Sequence, residues 1–173
     1  PCRRDWPTNI GQAETHVPTS AEYSEKTIAH ATRRGLQCAP MAMRFKILGS
    51  GSAGNSALLV TDGSRVLVDA GFSAKRLGEL LAEAGESLER IDAIFLTHEH
   101  GDHVRGLDVF LRKCQVPIVA SIMTGRVVQE TLKQQAQWIA FESGQKFSWE
   151  GFDLTTFPLP HDAVEPVGYV IAK

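Results

Sequence analysis

Cysteine is almost missing from this chain. Cys2, Cys38 and Cys114 are the only three, an odd number with no C-x-x-C pair. That excludes a disulfide framework and fits a reducing compartment, so a cytoplasmic location is expected. Long apolar runs are missing too. None approaches the roughly 18 residues that a membrane span needs, and no membrane partner is expected. An excess of one charge is also lacking: 18 Lys and Arg stand against 20 Asp and Glu, a net charge of −2. There is thus no global basic footprint of a nucleic-acid binder, and such a partner would have to be held by a local patch or by metals. What remains is ordinary for a globular protein, 43% hydrophobic and 22% charged over 173 residues, enough for one domain with a real core.

The first forty residues differ from the rest. Pro1 to Pro18 carry few large apolar residues and no periodicity. Thr19-Ser20-Ala21-Glu22 reads as a capping box opening a helix to about Arg34, with a thin apolar face of Tyr23, Ile28 and Ala31 that Gly35 ends. Asp5, Glu14, Glu22 and Glu25 argue against an acid-poor transit peptide. The expectation is a poorly ordered extension over residues 1–40, an artefact of upstream translation or of cloning, followed by a folded domain over 41–173 with Met41 or Met43 as its natural start.

The densest chemistry lies at Thr97-His98-Glu99-His100-Gly101-Asp102-His103, an H-x-H-x-D-H pattern. It follows the apolar run Ile91-Asp92-Ala93-Ile94-Phe95-Leu96 and precedes Val104, Leu107 and Leu111 at helical spacing. The cluster therefore sits on a loop between a strand and a helix of about Val104 to Lys113. Imidazole nitrogen and carboxylate oxygen suit zinc, manganese or iron. So many donors on one tight loop would repel one another if protonated and leave polar groups idle if buried. Four from one loop do not easily reach a single ion, so His98 and His100 are assigned to one and Asp102 and His103 to a second nearby.

The remaining chain reads as strands, then alternating helices and strands, then strands again, an α/β sandwich with mixed sheets. Arg44 to Leu48 is a strand running into Gly49-Ser50-Gly51-Ser52-Ala53-Gly54-Asn55-Ser56. These glycines spell G-x-G-x-x-G, with Asp69 at the distance of a ribose-binding acid. A dinucleotide site needs a helix directly after them, whereas the apolar runs Ala57 to Val60 and Val66 to Val68 follow, joined by Asp62-Gly63, a hairpin signal. The Gly-Ser loop is instead a permissive turn or a place of close backbone approach to a substrate phosphate, with Ser50, Ser52 and Asn55 as candidate contacts. Ser73 caps a helix whose apolar face is Leu77, Leu80, Leu81 and Ala84, ended by Gly85. Then come a strand at Val116 to Ala120, a helix from Ile122 to about Gln137, a short strand at Trp138 to Phe141 and a hairpin turning at Glu150-Gly151. Just past its end stands His161, in Pro160-His161-Asp162. Arg105, Arg112 and Lys113 are read as a solvated helix face rather than a phosphate guide.

The blocks Leu48 to Ser56, Val68-Asp69-Ala70-Gly71, Thr97 to His103 and Pro160 to Tyr169 together resemble the metallo-β-lactamase-fold hydrolases. The likeness is to the WalJ/YycJ-type branch, small bacterial cytoplasmic proteins similar to phosphodiester-cutting nucleases. It covers about Arg44 to Lys173. The resemblance implies an αββα sandwich with a metal site at one edge of its sheets. It implies His161 as the third ligand beside His98 and His100, and Asp69 as a carboxylate beneath the loop that orients ligands. It implies two divalent ions, zinc first and manganese second, and a bridging hydroxide attacking phosphorus, with Asp102 orienting it. The substrate class it implies is nucleic acid, single-stranded DNA or RNA. The rival readings are a hydrolase of a small thioester, lactone or β-lactam, and an inactive metal-binding fragment. No aspartate or histidine follows that could complete the second ion's ligands, so the expectation is the N-terminal part of a longer protein, with the C-terminal part of the sandwich missing and the second ion held weakly.

Overall fold

In the computed structural model, residues 43–172 are described. The extension expected over 1–40, its helix included, lies outside them.

Among the described residues, nine strands form two sheets. The larger has the order β1 (Arg44–Gly49), β2 (Ser56–Val60), β3 (Arg65–Val68), β4 (Ala93–Phe95), β5 (Ile118–Ser121), β6 (Trp138–Phe141). β1, β2 and β3 pair antiparallel and β3 to β6 pair parallel. The smaller has β7 (Lys146–Trp149), β8 (Phe152–Pro158) and β9 (Val167–Ala172), all antiparallel. The Asp62-Gly63 turn joins β2 to β3, where the Thr61 amide donates to the Ser64 carbonyl at 2.9 Å. With β2 directly after the Gly-Ser loop, the dinucleotide reading is excluded. At Glu150-Gly151 both residues have positive φ, 46° and 79°, as the tight hairpin turn between β7 and β8 requires.

Strand alternation makes two cores. Leu58, Leu67, Ile94 and Ile118 face the helices α1 (Ala74–Glu83), α3 (Leu107–Lys113) and α4 (Ile122–Thr131). Their neighbours Leu59, Val66, Ala93, Phe95 and Val119 face the smaller sheet through Trp149, Phe152, Leu154 and Val167. The central parallel strands are buried on both faces, which is why they read as unbroken apolar runs. The described layers are thus helices, large sheet, small sheet. Met43, Phe45 and Ile47, on β1 and just before it, are 45%, 59% and 64% exposed. No helix among the described residues is long and apolar enough to cross a membrane.

Two helices differ from expectation. The one expected over Val104 to Lys113 is two, α2 (Gly101–Val104) and α3, broken at Gly106. The Gly106 amide donates to the Ala70 carbonyl at 2.8 Å, and a Cβ there would collide with the Phe72 carbonyl. The chain presses so closely on the end of β3 that the helix cannot run through. The helix expected to reach Gln137 stops at Thr131. Beyond it, Asp108 accepts from the Lys133 amide at 2.9 Å, and Gln129 Oε1 accepts from the Ala136 amide and the Trp138 indole. These side chains draw the segment into an extended path toward β6. As expected, Ser73 caps α1, accepting from the Arg76 amide at 3.3 Å.

Candidate metal centre

The site is assembled at one edge of the large sheet, outside the C-terminal ends of β3, β4 and β5, the usual place for a ligand in an open parallel sheet. Asp69 directly follows β3, Thr97 to His103 follow β4, and Ser121 ends β5. From the small sheet, the turn after β8 brings His161.

Asp69 is the anchor. It is buried, and its φ of 60° is a left-handed conformation that aspartate tolerates better than most residues. Its Oδ1 accepts from the Thr97 amide at 2.8 Å, and its Oδ2 accepts from the Thr97 hydroxyl at 2.8 Å and from His103 Nδ1 at 2.7 Å. Below the loop, Gly71 has no room for a side chain. A Cβ there would overlap the Asp102 carbonyl.

These bonds settle which ring nitrogens are bare. His103 donates from Nδ1 to Asp69, leaving Nε2 as an acceptor. The Thr97 hydroxyl donates to Asp69, so it accepts from His98 Nδ1 at 2.9 Å, and His98 Nε2 is likewise left as an acceptor. That Nε2 is buried with no hydrogen-bond partner. An orphaned buried acceptor is costly unless something electrophilic occupies the space before it. His100 and His161 point into that space: one ligand atom from each of His98, His100 and His161 lies within 4.8 Å of the others. Three imidazoles are a donor set that fits zinc with an open coordination position. His98 is buried, His100 half-buried and His161 exposed, so the cluster opens to solvent on one side.

The electrostatics divide the histidines. Burial, and then the neighbouring rings of His103, His100 and His161, push the His98 pKa below its ordinary value, although Asp69 opposes them. For His103, burial also disfavours charge, but the hydrogen bond it donates to Asp69 and the charges of Asp69 and Asp102 outweigh it, and its pKa is raised. His103 Nε2 lies 3.6 Å from Asp102 Oδ2, so this pair faces one point beside the three-histidine cluster.

Asn55 reaches the same pair, its Nδ2 2.8 Å from Asp102 Oδ2 and 3.1 Å from His103 Nε2. Ser50 and Ser52 stand exposed on the Gly-Ser loop, and no described hydrogen bond joins them to the cluster. Arg105 donates to the Ala53 carbonyl at 3.1 Å, and Arg112 pairs with Asp108 at 3.2 Å.

Several positioning residues were not foreseen. Glu99 Oε1 accepts from the Val164 amide at 2.9 Å, tying the histidine loop to the His161 segment. Glu165 holds the other end of that segment, its carboxylate accepting from the Met123 amide and its carbonyl from Ser121 and Thr124. The Tyr169 hydroxyl donates to the Leu96 carbonyl at 2.7 Å. Burial, with the charge of Asp69, lifts its pKa well above the ordinary tyrosine value, so it stays a donor. Glu99 stood between two histidines, and Glu165 and Tyr169 lay within the Pro160 to Tyr169 block, but nothing in either place pointed to these contacts.

Residues 49–168 match the family model of the metallo-beta-lactamase superfamily. The chain is 36% identical over 137 residues to the exodeoxyribonuclease WalJ of Streptococcus pneumoniae, covering 77% of this chain and 51% of that protein. It is 34% identical to the exodeoxyribonuclease YycJ of Bacillus anthracis, covering 75% and 50%. The chain spans about half the length of these curated relatives. Among solved structures, a diphosphatase of the PhnP family superposes with a TM-score of 0.59 at 25% identity, covering 74% of this chain and 61% of that one.

Proposed function

The chain belongs to the metallo-β-lactamase superfamily, and from that premise we propose that it carries the metal-binding half-site of a metal-dependent phosphodiesterase, a nuclease acting on single-stranded DNA or RNA. The observation that carries the proposal is the buried, unpartnered Nε2 of His98 facing His100 and His161 beside the Asp102–His103 pair. The substrate class is supported by the relatives named exodeoxyribonuclease.

His98, His100 and His161 would hold one divalent ion, and Asp102 with His103 would contribute to a second, zinc first and manganese second. When bound, such ions supply Lewis acidity toward phosphoryl oxygens and a water acidic enough to yield a nucleophile near neutral pH. The protein's own part is preparation. Asp69 fixes His103 in the tautomer whose Nε2 is bare, and Thr97 does the same for His98. The half-exposed carboxylate of Asp102 would orient the attacking water.

The test is hydrolysis by the zinc- or manganese-loaded protein of end-labelled single-stranded DNA, single-stranded RNA, and small thioester, lactone and β-lactam substrates. Turnover of a nucleic acid that is abolished by His98→Ala supports the reading. Turnover of the small substrates alone overturns it in favour of a different hydrolase on the same fold, and tight metal binding without turnover favours a binding module.

A further inference from the structure

Asn55 lies against the two residues, Asp102 and His103, that would hold a second ion. Its backbone is fixed independently of its side chain, the amide donating to the Asp102 carbonyl at 2.7 Å and the carbonyl accepting from the Gly71 amide at 3.0 Å. The orientation of its carboxamide is set at both ends. Oδ1 accepts from the Gly51 amide at 2.9 Å, while Nδ2 lies 3.2 Å from the Gly51 carbonyl, 3.5 Å from the Asp102 carbonyl, 2.8 Å from Asp102 Oδ2 and 3.1 Å from His103 Nε2. With His103 in the neutral tautomer that spends its one N–H on Asp69, every group facing Nδ2 is an acceptor. The amino group therefore donates toward the two atoms of the pair that would bind an ion.

A neutral imidazole nitrogen has a single lone pair. His103 Nε2 cannot accept from Asn55 and coordinate an ion at once. We infer that the Asn55 carboxamide is a hydrogen-bonded stand-in for the second ion, which makes loading ordered: the three-histidine cluster fills first, and the Asp102–His103 pair fills only when Asn55 is displaced. This rests on the reading that Asp102 and His103 face a second ion. Removing the Asn55 side chain does not release the pair. His103 stays held by Asp69, and Asp102 stays held by its carbonyl's bond to the Asn55 backbone amide and by α2. The net effect of removal is relief of competition.

Zinc titration calorimetry on the metal-free protein, the wild type beside Asn55→Ala and Asp102→Ala, tests this. Asn55→Ala is expected to leave the first equivalent within about twofold of wild type and to tighten the second by about tenfold, the worth of one hydrogen bond to a charged acceptor. A gain in affinity is not what structural damage produces. Because Asn55 also closes the Gly-Ser turn through Gly51, Asn55→Ser is run in parallel. It keeps a short acceptor but does not reach His103, and the same gain is expected. A second equivalent that is unchanged or weaker in both variants, or absent from both and from wild type, overturns the proposal. Asp102→Ala separates the two ideas: if the second equivalent survives it, the ion does not use the Asp102–His103 pair, and the underlying reading fails whatever Asn55 does.

Discussion

Replacing Asp69 with asparagine changes one atom and should affect both the fold and the metal centre. Asparagine keeps the volume and tolerates the left-handed φ of 60°, so backbone strain and cavity formation are small. Three donors point at the carboxylate: the Thr97 amide, the Thr97 hydroxyl and His103 Nδ1. Asparagine has one acceptor oxygen. With that oxygen at the Oδ2 position, its amino group confronts the Thr97 amide. With the oxygen at Oδ1, it confronts both of the other donors. The better arrangement loses one buried bond outright and weakens two that were charge-assisted, a cost of about 3 kcal/mol. For a domain of this size that is a fall of roughly 10 °C in melting temperature. Urea and thermal unfolding in excess chelator measure the cost without the metal, with Asp62→Asn in an exposed turn as control. Zinc titration should then show the His103 site weakened by about tenfold or more, since loss of an orienting partner commonly costs that much. A stability loss under about 1 kcal/mol in chelator, matching the control, would refute the argument that Asp69 organises the loop.

Three other perturbations probe the remaining links. His98→Ala should abolish the tight zinc equivalent, and with it the zinc-dependent rise in melting temperature. With ligand at a hundred times Kd that rise corresponds to about 2.7 kcal/mol, so a variant that zinc still stabilises by that amount contradicts the three-histidine assignment. Glu99→Ala should loosen the His161 segment and weaken the first equivalent by about tenfold through loss of the Val164 bond. Glu99→Gln keeps an acceptor oxygen and should restore most of the affinity, and equal losses in the two variants would count against positioning. In Gly71→Ala the added Cβ meets the Asp102 backbone, so calorimetry should show the second site lost before the first, with a cooperative unfolding transition at lower temperature. An unchanged second site would mean that the close approach is dispensable.

Some of this was legible in the chain itself because it depends on near neighbours. The donor types of His98, His100, Asp102 and His103 and their compression into one loop point to a metal whatever surrounds them. The cap at Ser73, the apolar stripe of α1 and the Asp62-Gly63 hairpin follow from local spacing and turn chemistry, and the strand after the Gly-Ser loop was enough to exclude a dinucleotide site. The helix ends were less legible. Gly106 breaks a helical run because a distant carbonyl, that of Ala70, claims its amide, and α4 stops at Thr131 where Asp108 and Gln129 capture the chain beyond it.

By itself, then, the sequence determined the chemistry of the loop and the unbroken apolar runs that bury the central parallel strands on both faces. The family resemblance supplied His161 and Asp69 as candidates. Only the tertiary structure decided which atoms meet. The parallel pairing of β3 with β4 puts Asp69 under Thr97 and His103, and the packing of the small sheet on the large one swings His161 toward His98. The return of the Gly-Ser loop places Asn55, rather than Ser50 or Ser52, against the Asp102–His103 pair. The physical reason is range: propensity, capping and hairpin signals act over a few residues, whereas a coordination site is closed by strand register and sheet packing between segments far apart in the chain.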